Sequence, residues 1–454
     1  MQDFLEYERI EPRRRDTVER IKDFKEIYKP LNTKDASSQS SRCVQCSNPY
    51  CSHGCPLDNH IPQWLLSVAK NDIDMAFAIS NQTSPFPEIM GKVCPQDRLC
   101  EKTCTLNTGL GAVTIGAIEN HINQEGFKKG LKIPFLEKKV GKKIAVIGSG
   151  PAGLSVATFL LRAGVDVDVY ESLDRAGGLL TYGIPGFKLD KNDVQRRVDM
   201  LTENGMGLHL NTTIGKDVEF KELIKNYDGV FIGIGAKKQN TISIPNISSN
   251  GVHQAMEVLT DIQKSIFSSK RPTIDLANKK VVVIGGGDTA MDCVRTSIRQ
   301  KSSNVKCLYR RDEKSMPGSL KEHNNAKLEG VDFIFHLSPK EIVVDDNNNV
   351  KSIIMQKTKF DDNNKLITLD ECEEIQADII ILALGFNMQV PNFIKENNIS
   401  LSDKQTLKLN NYRTSIDKVY AGGDCFRGAD LVVNAALDGR EASKIILKDL
   451  GLTQ

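Results

Sequence analysis

Two short apolar runs, each ending in a glycine turn, restrict the fold more than any other feature of this chain. Lys142-Lys143 leads into Ile144-Ala145-Val146-Ile147 and then Gly148-x-Gly150-x-x-Gly153. Some 137 residues later, Lys279-Lys280 leads into Val281-Val282-Val283-Ile284 and Gly285-x-Gly287-x-x-Ala290. A continuous apolar run of this length, bounded by turn residues, predicts a strand buried on both faces. In such a unit the first glycine makes the turn and the second lets backbone approach a pyrophosphate. The third small residue packs helix on strand, and the helix N-terminus faces the anion. Two copies predict an α/β chain with two nucleotide-binding Rossmann-like domains.

The first copy carries further signals. A strand predicted over 165–170 ends at Glu171, 23 residues after Gly148, where a carboxylate accepts hydrogen bonds from ribose hydroxyls. Gly177-Gly178-Leu179-Leu180 follows, as a second close backbone approach would. Near the C-terminus, Val419-Tyr420 precedes Ala421-Gly422-Gly423-Asp424. In flavoproteins with two nucleotide sites, such a segment brings an Asp near the ribityl chain and pyrophosphate of FAD. Gly148, Gly150, Gly153, Glu171, Gly178, Leu179 and Asp424 are therefore the FAD candidates.

The second copy differs where it matters. Asp288 and Thr289 open its helix, and about 25 residues after the turn the strand 305–309 ends in Arg310-Arg311 rather than an acid. Guanidinium groups there pair with a 2′-phosphate, which selects NADPH over NADH. The candidates are Gly285, Gly287, Asp288, Thr289, Ala290, Arg310 and Arg311, with Lys314 as a further cation.

Seven of the 11 cysteines lie between Cys43 and Cys104, spaced Cys43-x2-Cys46-x4-Cys51-x3-Cys55-Pro56 and Cys94-x5-Cys100-x3-Cys104. A dense cluster in a large chain without a secretion signal points to metal rather than disulfides. Two [4Fe–4S] cubanes need eight ligands, and seven thiols leave one for a carboxylate or amide. Glu119, on a predicted helix, is the candidate. The competing reading is a structural zinc site at Cys43 and Cys46 with His53 or His60. Cys293, Cys307, Cys372 and Cys425 have no partner spacing and read mostly as buried, apolar-like residues. A disulfide reductase would carry Cys-x2-Cys beside its flavin, and outside the N-terminal group there is none.

The organisation expected is a mostly α-helical iron–sulfur domain over 1–140 and an FAD domain over 141–270 and 385–454. An NADPH domain is inserted over 271–384. Helices are predicted over 17–28 and over 61–69, the latter with Pro62 at its start. A hairpin is predicted around Asp345-Asp346-Asn347-Asn348-Asn349, a strand over 379–384, and a terminal helix from about Leu431. The formal net charge of +2 suits neither a nucleic-acid nor a membrane-surface protein. No stretch reaches the roughly 18 apolar residues of a membrane span. The N-terminus lacks a signal core, so the expected compartment is the cytoplasm.

The chain also resembles, end to end, the small (beta) subunits of bacterial NADPH-dependent glutamate synthases. The resemblance is carried by Cys46-Ser47-Asn48-Pro49-Tyr50-Cys51, Val93-Cys94-Pro95-Gln96-Asp97-Arg98-Leu99-Cys100 and Ala112-Val113-Thr114-Ile115-Gly116-Ala117-Ile118-Glu119. Tyr182-Gly183-Ile184-Pro185, Tyr309-Arg310-Arg311-Asp312-Glu313, Ala421-Gly422-Gly423-Asp424 and Gly428-Ala429-Asp430-Leu431 carry it further. It implies one cluster on Cys43, Cys46, Cys51 and Cys104, and another on Cys55, Cys94, Cys100 and Glu119. It further implies electron flow from NADPH through FAD and both clusters to FMN in a separate large (alpha) subunit, in a hetero-oligomer. There 2-oxoglutarate and glutamine-derived ammonia become glutamate. Met1 is followed by Gln2, not a nucleophilic Cys, so this chain is expected not to complete that synthesis alone. Similar modules occur in dihydropyrimidine dehydrogenase and ferredoxin:NADP transhydrogenases. Glu119 favours the glutamate-synthase branch, because the pyrimidine-reducing enzymes have a glutamine there. Tyr182-Gly183-Ile184-Pro185 and Met316-Pro317-Gly318 are expected to wall the nicotinamide–flavin junction.

Overall fold

The computed structural model describes residues 3–452, so Met1 and Gln2 lie outside the described residues. The N-terminal region is helical, with Thr33–Ser41, Ile61–Ala69, Ile73–Thr83, Pro87–Val93 and Ile115–Lys128 as its main elements. Pro62 sits in the first turn of Ile61–Ala69, where its missing N–H costs nothing. That helix buries Ile61, Trp64, Leu65 and Val68 against Phe77, Ile118 and Ile122. Phe77 meets Phe127 edge-on at 5.4 Å, over Gly126, where a methyl group would collide with the Phe77 ring.

The helix expected over 17–28 is a single turn, Thr17–Arg20, capped by the Asp16 side chain. Beyond it the Asp23 carboxylate accepts from the Lys25 amide and is held by Arg15, a local arrangement that competes with the helix. The segment then runs as a strap, its Ile27 amide donating to the Phe187 carbonyl. Tertiary contacts replace the intrahelical bonds that periodicity alone suggested.

Two five-stranded parallel sheets follow. The first runs Val419–Ala421, Gly229–Ile232, Lys143–Ile147, Asp166–Tyr170, Met206–His209 across its width, with Val146 opposite Val169 and Phe231. The second runs Val252–Gln254, Ile379–Leu382, Lys280–Ile284, Asn304–Tyr309, Asp332–Phe335. In each, the fingerprint strand sits in the middle and is buried on both faces.

One domain boundary moves. Val252–Gln254 pairs with Ile379–Leu382, so this strand and the helix Ala255–Ser268 join the second sheet, not the first part of the flavin domain that had been expected to reach 270. The chain crosses between domains where Lys238–Gln239 pairs antiparallel with Phe386–Asn387. The strand is only three residues long and runs straight into its helix with no glycine turn between them, which is why local pattern left it with the preceding segment. A second difference follows from turn chemistry. The expected hairpin is a three-stranded meander, Leu337–Val344, Val350–Phe360 and Leu366–Gln376. Asp345 accepts from the Asn347 and Asn349 amides, and Asp361 repeats this with Asn363 and Lys365, making a second turn of the same kind.

The terminal helix Val432–Asp449 closes the flavin-type domain by packing on Pro151–Arg162. Gly439 permits this contact, since a Cβ there would sit 2.3 Å from the Ala152 carbonyl. Among the described residues, no helix is long and apolar enough to cross a membrane.

Candidate functional site: two nucleotide cradles and two groups of thiols

At the first cradle, Gly148 has φ +95° and a Cβ would lie 2.5 Å from the Gly233 carbonyl, so only glycine turns here. A Cβ on Gly153 would come within 1.9 Å of the Gly148 carbonyl, which fixes helix on strand. Gly150 instead faces open space. Glu171 is 4% exposed; one carboxylate oxygen accepts from the Ser149 amide at 3.0 Å and hydroxyl at 2.6 Å. The other accepts from the Leu173 amide at 2.9 Å. The Gly177 amide donates to the Ser149 carbonyl at 3.1 Å, bringing Gly178 against Gly150. Leu179 points outward, 42% exposed.

Asp424 follows Gly423, whose φ is +77° and whose Cα packs on Ala152 at the start of the fingerprint helix. Burial, reinforced by Asp430 and Asp438, pushes the Asp424 carboxyl up to about 7. The turn is held by a residue that sequence reasoning missed. Asp438, fully buried, takes two bonds from Arg427 and one from the Gly423 amide at 2.9 Å. An Asp on a helix face gives no local signal of such a partner. An open glycine at the helix start, with the buried Glu171 and the half-buried Asp424 nearby, fits a flavin dinucleotide.

At the second cradle, Gly285 has φ +148° and packs on the Ala383 carbonyl, Gly287 faces open space, and Ala290 is fully buried. Thr289 lies half-buried in the first helical turn. Asp288 opens the helix and accepts from the Ser319 amide at 2.8 Å. Arg310 is exposed and Arg311 half-buried at the end of Asn304–Tyr309, and among the described residues neither guanidinium has an ion-pair partner. Nearby Asp312 caps a turn through the Ser315 amide, and Glu313 pairs with Lys327. The acids beside Arg310 and Arg311 are thus engaged elsewhere, which suits a site for a phosphate.

The thiols divide into two groups. Cys43, Cys46, Cys51 and Cys104 line one cavity in the helical domain, with Tyr50, Pro62, Leu65, Val113 and Ile115. Gln45, at φ +54°, donates to the Cys43 sulfur at 3.3 Å, and Thr105 Oγ1 lies 3.2 Å from that of Cys46. Burial, then the neighbouring Cys43 and Cys104, pushes the Cys51 thiol up to about 12. Cys55, Cys94, Cys100 and Glu119 form the other group. Burial raises Cys94 and Cys100, and each also feels Glu119 and Cys55. Glu119, from Ile115–Lys128, is pushed up to about 8 by burial and then by Glu88. Its carboxyl accepts from Asn59 at 3.3 Å.

Buried thiols that resist ionisation on their own fit a cationic multi-iron centre, which would stabilise their thiolates. Among the described residues, no three His, Cys, Asp or Glu side chains converge on a point that a single metal ion could occupy. His53 is hydrogen-bonded to Asn48 at 2.7 Å, and neither it nor His60 lines the four-thiol cavity. The second group adjoins the flavin-type domain. Cys55, Cys94 and Leu99 pack on that domain's core, and Arg440 of the terminal helix donates to the Leu57 and Thr83 carbonyls. Cys293, Cys307 and Cys425 are buried, whereas Cys372 is exposed beside Lys340.

Tyr182-Gly183-Ile184-Pro185 lines a cavity with Phe24 of the strap and Leu259, Ile262 and Gln263 of the second domain. Met316-Pro317-Gly318 does not line that cavity; it folds onto the second glycine turn, the Gly318 amide donating to the Gly286 carbonyl at 3.0 Å. Lys188 bonds Asp292 across the domain interface at 2.9 Å, and Phe187 sits under Arg295 and Arg299.

Fold and site together define an iron–sulfur oxidoreductase of the pyridine-nucleotide type. Residues 142–439 match the family described as pyridine nucleotide-disulphide oxidoreductase, and residues 20–131 match dihydropyrimidine dehydrogenase domain II, 4Fe-4S cluster. The chain is 41% identical to the glutamate synthase [NADPH] small chain of Escherichia coli over 98% of both sequences. It is also 41% identical to the E. coli putative oxidoreductase AegA, covering 94% of this chain and 68% of that one. The Mycobacterium tuberculosis FprA structure in complex with NADPH shares the fold, with a TM-score of 0.58 and 20% identity over 70% of this chain and 85% of that one. The chain belongs to the glutamate synthase [NADPH] small-chain family.

Proposed function

We propose that this chain is the electron-input subunit of a glutamate synthase. It oxidises NADPH and passes electrons through two [4Fe–4S] centres to FMN in a large subunit that forms L-glutamate from 2-oxoglutarate and L-glutamine. Bound FAD would accept a hydride, and the iron–sulfur centres would carry its electrons onward singly. The chain's own residues supply positioning. Arg310 and Arg311 hold the 2′-phosphate, the Gly287 turn and its helix N-terminus receive the pyrophosphate, and Glu171 and Asp424 orient the flavin dinucleotide.

The observation that carries the reading is the order of the donor groups. Cys55, sharing a group with Glu119, packs on both the flavin-type core and the helical core, whereas Cys43, Cys46, Cys51 and Cys104 surround a cavity in the helical domain. This supports a path from the flavin through the Glu119 group to the Cys43 group and then outward. The match to AegA supports a second acceptor reading, in which the same module serves another oxidoreductase partner.

Reconstitution with the large subunit separates the two. NADPH-dependent glutamate formation by the mixture, absent from either component alone, is the expected outcome. NADPH oxidation that yields no glutamate in that mixture but reduces ferredoxin or a pyrimidine would favour the other acceptors.

A further inference from the structure

The loop between Cys94 and Cys100 does more than present two thiols. Its turn Gln96–Arg98 projects Arg98 out of the iron–sulfur domain onto the second nucleotide cradle. One Arg98 nitrogen donates to the Pro317 carbonyl at 2.7 Å, and another lies 3.5 Å from an Asp288 carboxylate oxygen. The other Asp288 oxygen accepts from the Ser319 amide at 2.8 Å. Residues 316–319 are thereby held on the glycine turn, where a Cβ on Gly318 would come within 3.0 Å of the Gly286 carbonyl.

Asp288 poses an electrostatic problem. It is the first residue of the 12-residue helix Asp288–Arg299, whose N-terminus must receive a dinucleotide pyrophosphate. An unneutralised carboxylate there repels that anion. Arg98 is a cation beside it that comes from another domain; Lys188, paired with Asp292, also feels its charge.

We propose that Arg98 is a positioning residue for the pyridine nucleotide: it neutralises Asp288 and pins residues 316–319. Nucleotide affinity thereby depends on an ordered loop between Cys94 and Cys100. This rests on the second cradle being the NADPH site. The dependence is reciprocal, so bound nucleotide in turn steadies the loop carrying two donors of the inner thiol group. The contact acts on the pyrophosphate end, so it does not distinguish NADPH from NADH, unlike Arg310 and Arg311.

The test is equilibrium dialysis of NADP+ and of NAD+ against the purified holoprotein, with iron and flavin counted in each sample. Arg98→Ala is expected to weaken both nucleotides about two- to fivefold at low salt, the range for a half-exposed pair. The loss should shrink at high salt. Asp288→Asn keeps an acceptor for the Ser319 amide but removes the charge, so in that background Arg98→Ala should lose distinctly less affinity, only the share that the Pro317 contact supplies. An unchanged affinity in Arg98→Ala, or an equal loss in the Asp288→Asn background, overturns the proposal. If Arg98→Ala loses iron, Arg98→Gln carries the comparison: weakened binding of both nucleotides with full iron supports the role, and a wild-type affinity, or a loss equally large in the Asp288→Asn background, overturns it. Failure of the wild-type protein to bind either nucleotide would instead reject the site.

Discussion

Arg20, at the end of the helical turn that precedes the N-terminal strap, meets Glu329, in the second nucleotide domain, at 2.9 Å, with both side chains sealed from solvent. The charges approach without a linear hydrogen bond from the Arg20 Nε. Glu329 also takes bonds from Arg295 and Arg299, whose guanidiniums lie over Phe187 of the flavin-type domain. One buried carboxylate therefore joins three parts of the chain. Removing its charge leaves Arg20 and Arg299 without their anion, while Arg295 keeps Glu322, so Glu329→Gln should cost about 3–5 kcal/mol in urea unfolding monitored by circular dichroism.

The same carboxylate sets an acid limit. Burial alone would raise its pKa, but the hydrogen-bonding Arg295 and Arg299 outweigh that and hold it down to about 2. A depressed carboxylate contributes stability above its unfolded pKa and loses it as pH falls through the folded one. The window here runs from about 4.5 down to about 2. Wild-type stability should fall through that window, and the slope should be shallower in Glu329→Gln, as read from unfolding curves at stepped pH.

Gly150 and Gly153 should fail differently. A Cβ at Gly150 meets no protein atom, so Gly150→Ala should fold, with stability changed by about 0.5 kcal/mol or less, yet purify depleted of flavin. Gly153→Ala forces a Cβ onto the Gly148 carbonyl and should destabilise the domain by about 1–3 kcal/mol. Flavin absorbance and thermal unfolding distinguish the two outcomes.

Arg310→Ala with Arg311→Ala should raise the Michaelis constant for NADPH at least about tenfold while changing that for NADH little. Initial rates with a dye acceptor measure both. Equal losses would reject the 2′-phosphate assignment.

Glu119→Ala and Cys43→Ser address the two donor groups separately. Each should lower bound iron by about half while leaving flavin in place, the first at the inner centre and the second at the outer. Full iron in Glu119→Ala would remove it as the eighth ligand. Electron delivery to the large subunit should fall in both variants.

Much of this was legible in short stretches of chain. The apolar runs before Gly148 and Gly285 are strands because four consecutive buried residues fit the middle of a parallel sheet, and both lie there. Pro62 marked a helix start because its missing N–H is tolerated only at that end. The strap was misread as a helix because the contacts that decide it, such as the Ile27 amide with the Phe187 carbonyl, lie far away in sequence. Asp438 and Arg98 gave no signal for the same reason: a polar residue on a helix or in a loop looks solvated until its partner is known.

The amino-acid sequence by itself determined the two glycine turns, the basic pair that ends the second nucleotide unit, and the supply of seven thiols in one region. Those features are local, set by backbone sterics and by chemistry a few residues apart. Only the tertiary structure decided which thiols share a cavity, that Val252–Gln254 joins the second sheet, and that Arg98 reaches Asp288. Each of these joins residues remote in the chain, and their proximity follows from how the three domains pack.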